Sequence, residues 1–94
     1  MQSDKLINIG KIIGVFGIKG ELKIYSESDF IDYRFRIGAH IYLKSKKIAK
    51  EAVVTSMRIH KKTILIQIDN LNDINLVSHY IGCDIYAKYE DFPT

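Results

Sequence analysis

Between Arg34 and Lys62 the chain carries nine basic side chains against one acid, Glu51. They are Arg34, Arg36, Lys44, Lys46, Lys47, Lys50, Arg58, Lys61 and Lys62. After Lys62 the balance reverses, and Lys88 faces Asp69, Asp73, Asp84, Glu90 and Asp91. The net charge of +3 is modest, so the distribution carries the signal. One-signed stretches of this kind go with anionic partners such as RNA, or they are solvated loops. The densest part is "RIHKK", Arg58 to Lys62, which either meets phosphates or is a solvated hairpin tip.

A second candidate is "GKIIGVFGIKGELKIYS", which holds four of the six glycines, Gly10, Gly14, Gly17 and Gly20. A dinucleotide loop needs G-x-G-x-x-G running into a helix, and a P-loop needs G-x-x-x-x-G-K followed by Ser or Thr. Neither spacing is met. "ELKIYS" after Gly20 alternates, with Leu22 and Ile24 on one side and Glu21, Lys23 and Tyr25 on the other, as a half-buried strand does. The glycines therefore bend or bulge strands rather than cradle a phosphate. A turn at "FGIKG" leaves Lys19 near its tip.

No catalytic set emerges. His40, His60 and His79 lie in unrelated contexts, and no zinc spacing occurs. "DNLND" fails as a calcium loop because Leu71 occupies a ligand position and no glycine follows Asp73; a helix cap explains it better. Cys83 sits in a strand pattern as a small apolar residue. Asp29 and Asp32 fall in a loop with no apolar pocket evident to raise a pKa. The chain reads as non-enzymatic, without cofactor or metal.

The elements that must position these residues are mostly strands. Lys5 to Phe16 reads as a long strand and Glu21 to Ser26 as a second. "ESDFIDYRFRIG" connects them to the rest, with Ser28 or Asp29 able to cap a short turn that Gly38 ends. "AHIYLKS" alternates, Ile41 and Leu43 against His40, Tyr42 and Lys44. In "EAVVTSMRIH" the alternation predicts one face of Val53, Thr55, Met57 and Ile59. "TILIQID" puts Ile64, Ile66 and Ile68 together. Lys61-Lys62 is a poor primed-turn pair, which predicts a hairpin loop longer than two residues. Ile74, Val77 and Ile81, with Leu76 and Tyr80, predict a helix over Asp73 to Ile81 that Gly82 closes. "CDIYAKY" supplies the last strand. Six short strands and one short helix in 94 residues predict an all-β fold, a small closed barrel.

Length bounds this to one domain. A lone cysteine fits a reducing compartment, and no long apolar run or signal-like N-terminus is present, so the chain reads as cytoplasmic.

The order of segments resembles one family. "GKIIGVFGIKGELKIYS", "SDFIDYRF", "IYLKS" and "VVTSMRIHKKTILIQIDNLNDINLVSHYIGCDIYAKYEDFP" together are similar to the N-terminal domain of the ribosome maturation factor RimM family, from about Ile9 to Pro93. The family usually has proline and histidine before "GIKG", where this chain has Val15 and Phe16. An imidazole role there is therefore lost, and an aromatic one survives. Its helix "DINLVSHYIG" also lacks the family's small residues. The resemblance implies a six-stranded barrel like the second domains of translation elongation factors. It places residues 1–94 in the N-terminal domain, without the PRC-type barrel that follows in the family. It implies a non-catalytic factor for small-ribosomal-subunit assembly, partnered by a head-region ribosomal protein and by the rRNA of the immature subunit. Apart from the resemblance, a monomer is expected, and the lack of a long apolar run predicts no membrane span.

The residues then suggested for the contact are Lys19, Arg58, His60, Lys61 and Lys62, with Tyr25 and Phe16 either stacking on bases or packing the barrel. The alternative is a protein-interaction barrel that never touches RNA. Salt dependence separates the two, because phosphate contacts weaken steeply with salt and apolar contacts do not.

Overall fold

The computed structural model describes residues 5–26 and 31–88. Six antiparallel strands run β1 (Leu6–Phe16), β2 (Glu21–Tyr25), β3 (His40–Lys44), β4 (Ala49–His60), β5 (Thr63–Ile68) and β6 (Asp84–Lys88). They close into a barrel in the order β1-β2-β5-β4-β3-β6, so the fold is all-β as the alternation predicts.

Two long strands make closure possible. The first half of β1 pairs with β6, from Leu6↔Lys88 to Lys11↔Asp84, and its second half with β2, from Lys11↔Tyr25 to Phe16↔Glu21. β4 likewise pairs with β3 up to Val53 and with β5 from Val54 onward. The barrel is thus two sheets sharing β1 and β4: one adds β6 and β3, the other β2 and β5. Both shared strands must bend at the corner, and each does so at bulges. In β1 the register shifts between Asn8 and Gly10 and again between Ile12 and Gly14; in β4 it shifts between Val54 and Ser56. Gly10 is required at the first corner, because a Cβ there would lie 2.8 Å from the Tyr25 carbonyl oxygen. The N-terminal glycines therefore do bend the chain.

Apolar residues of alternate parity fill the barrel: Ile9, Ile12, Leu22, Ile24, Ile41, Leu43, Ala52, Val54, Ile64, Ile66, Ile68, Ile85 and Ala87. Phe35 and Ala39 enter from the β2–β3 connection, and Val77, Tyr80 and Cys83 from the β5–β6 connection.

The bulge corrects the expected face of β4. Before it, Ala52 and Val54 point inward, not Val53 and Thr55; after it the parity switches and Met57 packs against the core. Ile59 follows that parity but lies at the strand's end and is 51% exposed. The β4–β5 loop is also shorter than expected. Lys61 (φ 50°) and Lys62 (φ 69°) both take the left-handed conformation and close a two-residue turn, the geometry that Asn-Gly usually supplies.

The expected helix over Asp73 to Ile81 is one α-turn, α1 at Ile74–Val77, followed by a 3₁₀ turn at Ser78–Tyr80. Asp73 caps it, its Oδ1 accepting from Asn75 N at 2.8 Å. Only Val77 and Tyr80 of the helical pattern are fully buried, while Leu76 and Ile81 are about half exposed. Too few inward positions exist in this crossing to hold a longer helix. A further helical turn spans Ile31–Arg34. The Ser28 or Asp29 cap, the Asp29 carboxylate and the "EDFP" linker lie outside the described residues, as does the side chain of Asp32. No helix among the described residues is long and apolar enough to cross a membrane.

The β1–β2 turn is braced from the β5–β6 crossing. Ile74 N donates to Ile18 O at 3.0 Å, and a Cβ on Gly20 (φ +77°) would lie 3.0 Å from the Asp73 carbonyl oxygen. Gly17 (φ +74°) has the same backbone class but open space around it. Gly17→Ala should therefore cost about 1 kcal/mol of conformational strain, and Gly20→Ala distinctly more. Urea unfolding midpoints measure the difference; equal midpoints would mean that the Asp73 segment yields freely.

Candidate nucleic-acid interface

The outer wall of the β1-β2-β5-β4 sheet gathers six of the seven residues suggested above for the contact. Cross-strand partners share a face, so register places Phe16 beside Glu21, and Leu65 between Lys23 and Arg58. Leu65 points outward, yet it is fully buried. Its cover must come from that face, where the stems of Lys23 and Arg58 flank it. Phe16 reaches over the same ground. Its ring centroid lies 5.9 Å from Lys23 Nζ, 5.5 Å from Arg58 Cζ and 5.1 Å from the His60 ring.

Arg58 is fixed in plane. Its Nε and Nη2 donate to Glu21 Oε2 and Oε1, both at 2.8 Å. Two of its five N–H groups are thus used, leaving three for a phosphate. The bond from Arg58 holds the Glu21 carboxyl below its ordinary range despite burial, and Glu21 in turn raises Arg58. At one end of this wall, Gln67 Nε2 donates to Lys19 O at 2.9 Å and anchors the β1–β2 turn. At the other end stand His60 and the Lys61-Lys62 turn. Gln67 and Thr63 are four residues apart, about 13 Å along the strand. Lys19 and the lysine pair therefore mark the two ends of a track, with the Phe16 cluster between them.

Of the seven residues suggested by sequence, Phe16, Arg58 and His60 meet directly, and Lys19, Lys61 and Lys62 extend the same wall. Phe16 packs against the outside of the barrel, not within it. Tyr25 stands apart: 53% exposed, it lies opposite Lys11 and lines a cleft of about 400 Å³ with Asn8, Gly10, Arg34 and Asp84. Packing in the core is excluded for Tyr25 by that exposure. Sequence reasoning missed Glu21, Lys23 and Leu65 as parts of the site. The alternation of "ELKIY" did put Glu21 and Lys23 on the polar face; what it lacked was the pairing of Glu21 with Arg58, 37 residues away.

Lys50 is removed from the free charge of the basic block, since its Nζ pairs with Asp69 Oδ2 at 3.0 Å. That hydrogen bond raises Lys50. Burial alone would push Asp69 up, but the Val53 N–H at 3.0 Å and Lys50 outweigh it and hold the carboxyl low. The histidines stay separate: His40 bonds Glu51, His60 meets Phe16 and His79 meets Tyr80. Among the described residues no three His, Cys, Asp or Glu side chains group as metal ligands.

The fold and this wall define a class, a small antiparallel barrel that displays cations and aromatic rings on its outside. The chain belongs to the RimM family: the model of the RimM N-terminal domain matches residues 7–92. The ribosome maturation factor RimM of Limosilactobacillus fermentum is 36% identical over 88 residues, covering 93% of this chain and 52% of that protein. The Staphylococcus aureus factor of the same name is 36% identical over 82 residues, covering 87% and 49%. A Pseudomonas aeruginosa crystal structure, described as a 16S ribosomal RNA processing protein RimM, superposes with a TM-score of 0.82 at 28% identity, over 95% of this chain and 54% of that one. The solution structure of the N-terminal domain of RimM from Thermus thermophilus gives 0.76 at 16% identity, over 96% of both chains. The chain spans about half the length of the curated relatives it matches.

Both carboxylates held low, Glu21 and Asp69, make the same sign of pH dependence. Their contribution is complete above the ordinary values of 4.5 and 3.8 and is lost as pH falls through their lower folded values. Melting temperature should therefore drop on acidification below about pH 4.5. Glu21→Gln and Asp69→Asn should each flatten that acid limb. Melting curves parallel to the parent's would show that neither pair matters to stability.

Proposed function

We propose that this chain is the N-terminal part of a non-catalytic assembly factor of the small ribosomal subunit that holds unpaired rRNA on the Phe16 wall. The relatives' names supply the setting, ribosome maturation and 16S rRNA processing. The observation that carries the contact is the Lys61-Lys62 turn. Left-handed backbone costs an ordinary residue roughly 1–2 kcal/mol, which Asn-Gly would largely avoid. Strain of that size is kept where a side chain is wanted, and here it puts two ammonium groups at the end of an ordered cationic track. Lys19, Lys23 and the remaining donors of Arg58 complete it. The cytoplasm is the compartment this role requires.

A second observation supports the protein half of the role. Ile18 is 82% exposed at the β1–β2 turn, and its carbonyl accepts from Ile74 N, two residues before Leu76 at 48%; Ile13 at 54% and Ile81 at 48% are chain neighbours of the Gly82–Ile12 backbone bond. Exposed aliphatics of this kind suit a protein surface, the head-region ribosomal protein in this reading. They are also the surface that a pure adaptor would use.

The double variant Lys61→Asn/Lys62→Gly separates function from stability. It should raise stability by about 1–2 kcal/mol. It should also weaken binding to immature small-subunit RNA and flatten the log–log salt slope by about one unit per lysine removed. Filter binding across a salt series beside thermal melts reads both. Unchanged affinity at every salt concentration would sink the RNA contact on this wall and favour the adaptor.

A further inference from the structure

The opposite wall, formed outside β3 and β6, carries a second arrangement that the Phe16 track does not use. Tyr42 and Tyr86 are register partners there, with Leu43 and Ile85 beside them pointing into the barrel. Each ring is approached by the lysine two residues beyond its partner tyrosine. Lys44 Nζ lies 5.7 Å from the Tyr86 centroid and Lys88 Nζ 5.9 Å from that of Tyr42. A cleft of about 270 Å³ opens beside Tyr42, lined by Leu6, Lys44, Ala49 and Glu51 among others.

We infer that this wall is a stacking platform for two neighbouring unpaired RNA bases, received by Tyr42 and Tyr86, with Lys44 moving to a flanking phosphate. The inference rests on the RNA partner proposed above but on a different face. Directly opposed residues stand about 5 Å apart. Two such rings match bases that are splayed out of a stack, which single strands offer and duplexes do not. The lysines do not bar the rings. Both sit near the 6 Å limit of a cation–π contact, worth about 0.5–1 kcal/mol when exposed, whereas a base on an aromatic ring is worth about 1–3 kcal/mol. Exchange of Lys44 for a base on Tyr86 is therefore downhill, and it turns the Lys44 ammonium toward phosphate. Lys46 and Lys47, exposed in the β3–β4 turn, extend the cationic edge. Among the described residues the carboxylates on this wall are Asp84, opposite Lys44, and Glu51, the register partner of Tyr42, which is bonded to His40 at 2.9 Å. Among the described residues, Lys44, Lys46 and Lys47 against these two acids leave this edge cationic.

The test uses aromatic-ring NMR of the tyrosine, phenylalanine and histidine side chains on the whole chain, which has six Tyr and no Trp. The probes are an eight-residue oligouridine, an abasic strand of the same length and a blunt RNA duplex, all at low salt. The oligouridine should shift the Tyr42 and Tyr86 ring protons upfield; the abasic strand and the duplex should not. Tyr42→Leu and Tyr86→Leu should each lose between about 5- and 150-fold in affinity, while Tyr42→Phe and Tyr86→Phe, which keep the ring, should stay near the parent. Should the abasic strand bind as tightly as oligouridine, the wall is merely charged and the inference falls. It falls equally if oligouridine perturbs only Phe16 and His60, an outcome that leaves the first wall standing. Shifts at Tyr42 and Tyr86 without any at Phe16 would support this platform and overturn the first.

Discussion

Everything in this barrel depends on two strands that must each serve two neighbours. β1 and β4 leave one sheet and enter the other, and a strand cannot do so without breaking its ladder. Gly10 removes the Cβ that would strike the Tyr25 carbonyl at 2.8 Å, and the β4 bulge inserts one unpaired residue between Val54 and Ser56. These corners fix which side chains face outward beyond them. Without the β4 bulge, Arg58 and His60 would point into the core, and Met57 would point away from it. The charged wall is thus a product of closure.

On that wall the apolar and ionic parts do different jobs. Removing a leucine side chain from water contributes about 1.5–3 kcal/mol, so Leu65, sealed under Phe16 and two cationic stems, accounts for the firmness of the layer. A solvent-facing ion pair contributes little to stability. What Glu21 does for Arg58 is orientation: a guanidinium held by both its near N–H groups presents a fixed fork. The same division holds around Asp69, which ties Lys50 to the Val53 backbone at the end of β5.

Alternation made most strands legible, because Leu22, Ile24, Ile41, Leu43, Ile64, Ile66 and Ile68 all repeat with period two and all lie inside. The face of β4 was not legible, because a bulge advances parity by one with no glycine to mark it. The double-lysine turn was misjudged for a related reason: propensity argues against it, and hydrogen bonding along β4–β5 overrides propensity. The length of the helix was overread, since Leu76 and Ile81 keep helical spacing without any core to meet. Of the site, the basic residues were visible one by one. Their common wall was not, since it depends on Glu21 of β2 meeting Arg58 of β4 across β5. The tyrosine pair on the other wall was visible only as two unrelated polar-face positions, 44 residues apart in number and opposite in register.

The ring is sealed by its first and last strands, and Leu6 is the register partner of Lys88. The two ends of the described barrel are therefore neighbours, about 5 Å apart. Tension applied at those ends would load the β1–β6 ladder one hydrogen bond at a time, as a zipper and not in shear. The corner at Gly10 would be the first obstacle that the tear meets. Mechanically the barrel would open at its seam with the β4–β5 hairpin still folded. The same closeness makes the seam a natural place to join the ends by a short linker and cut the chain elsewhere.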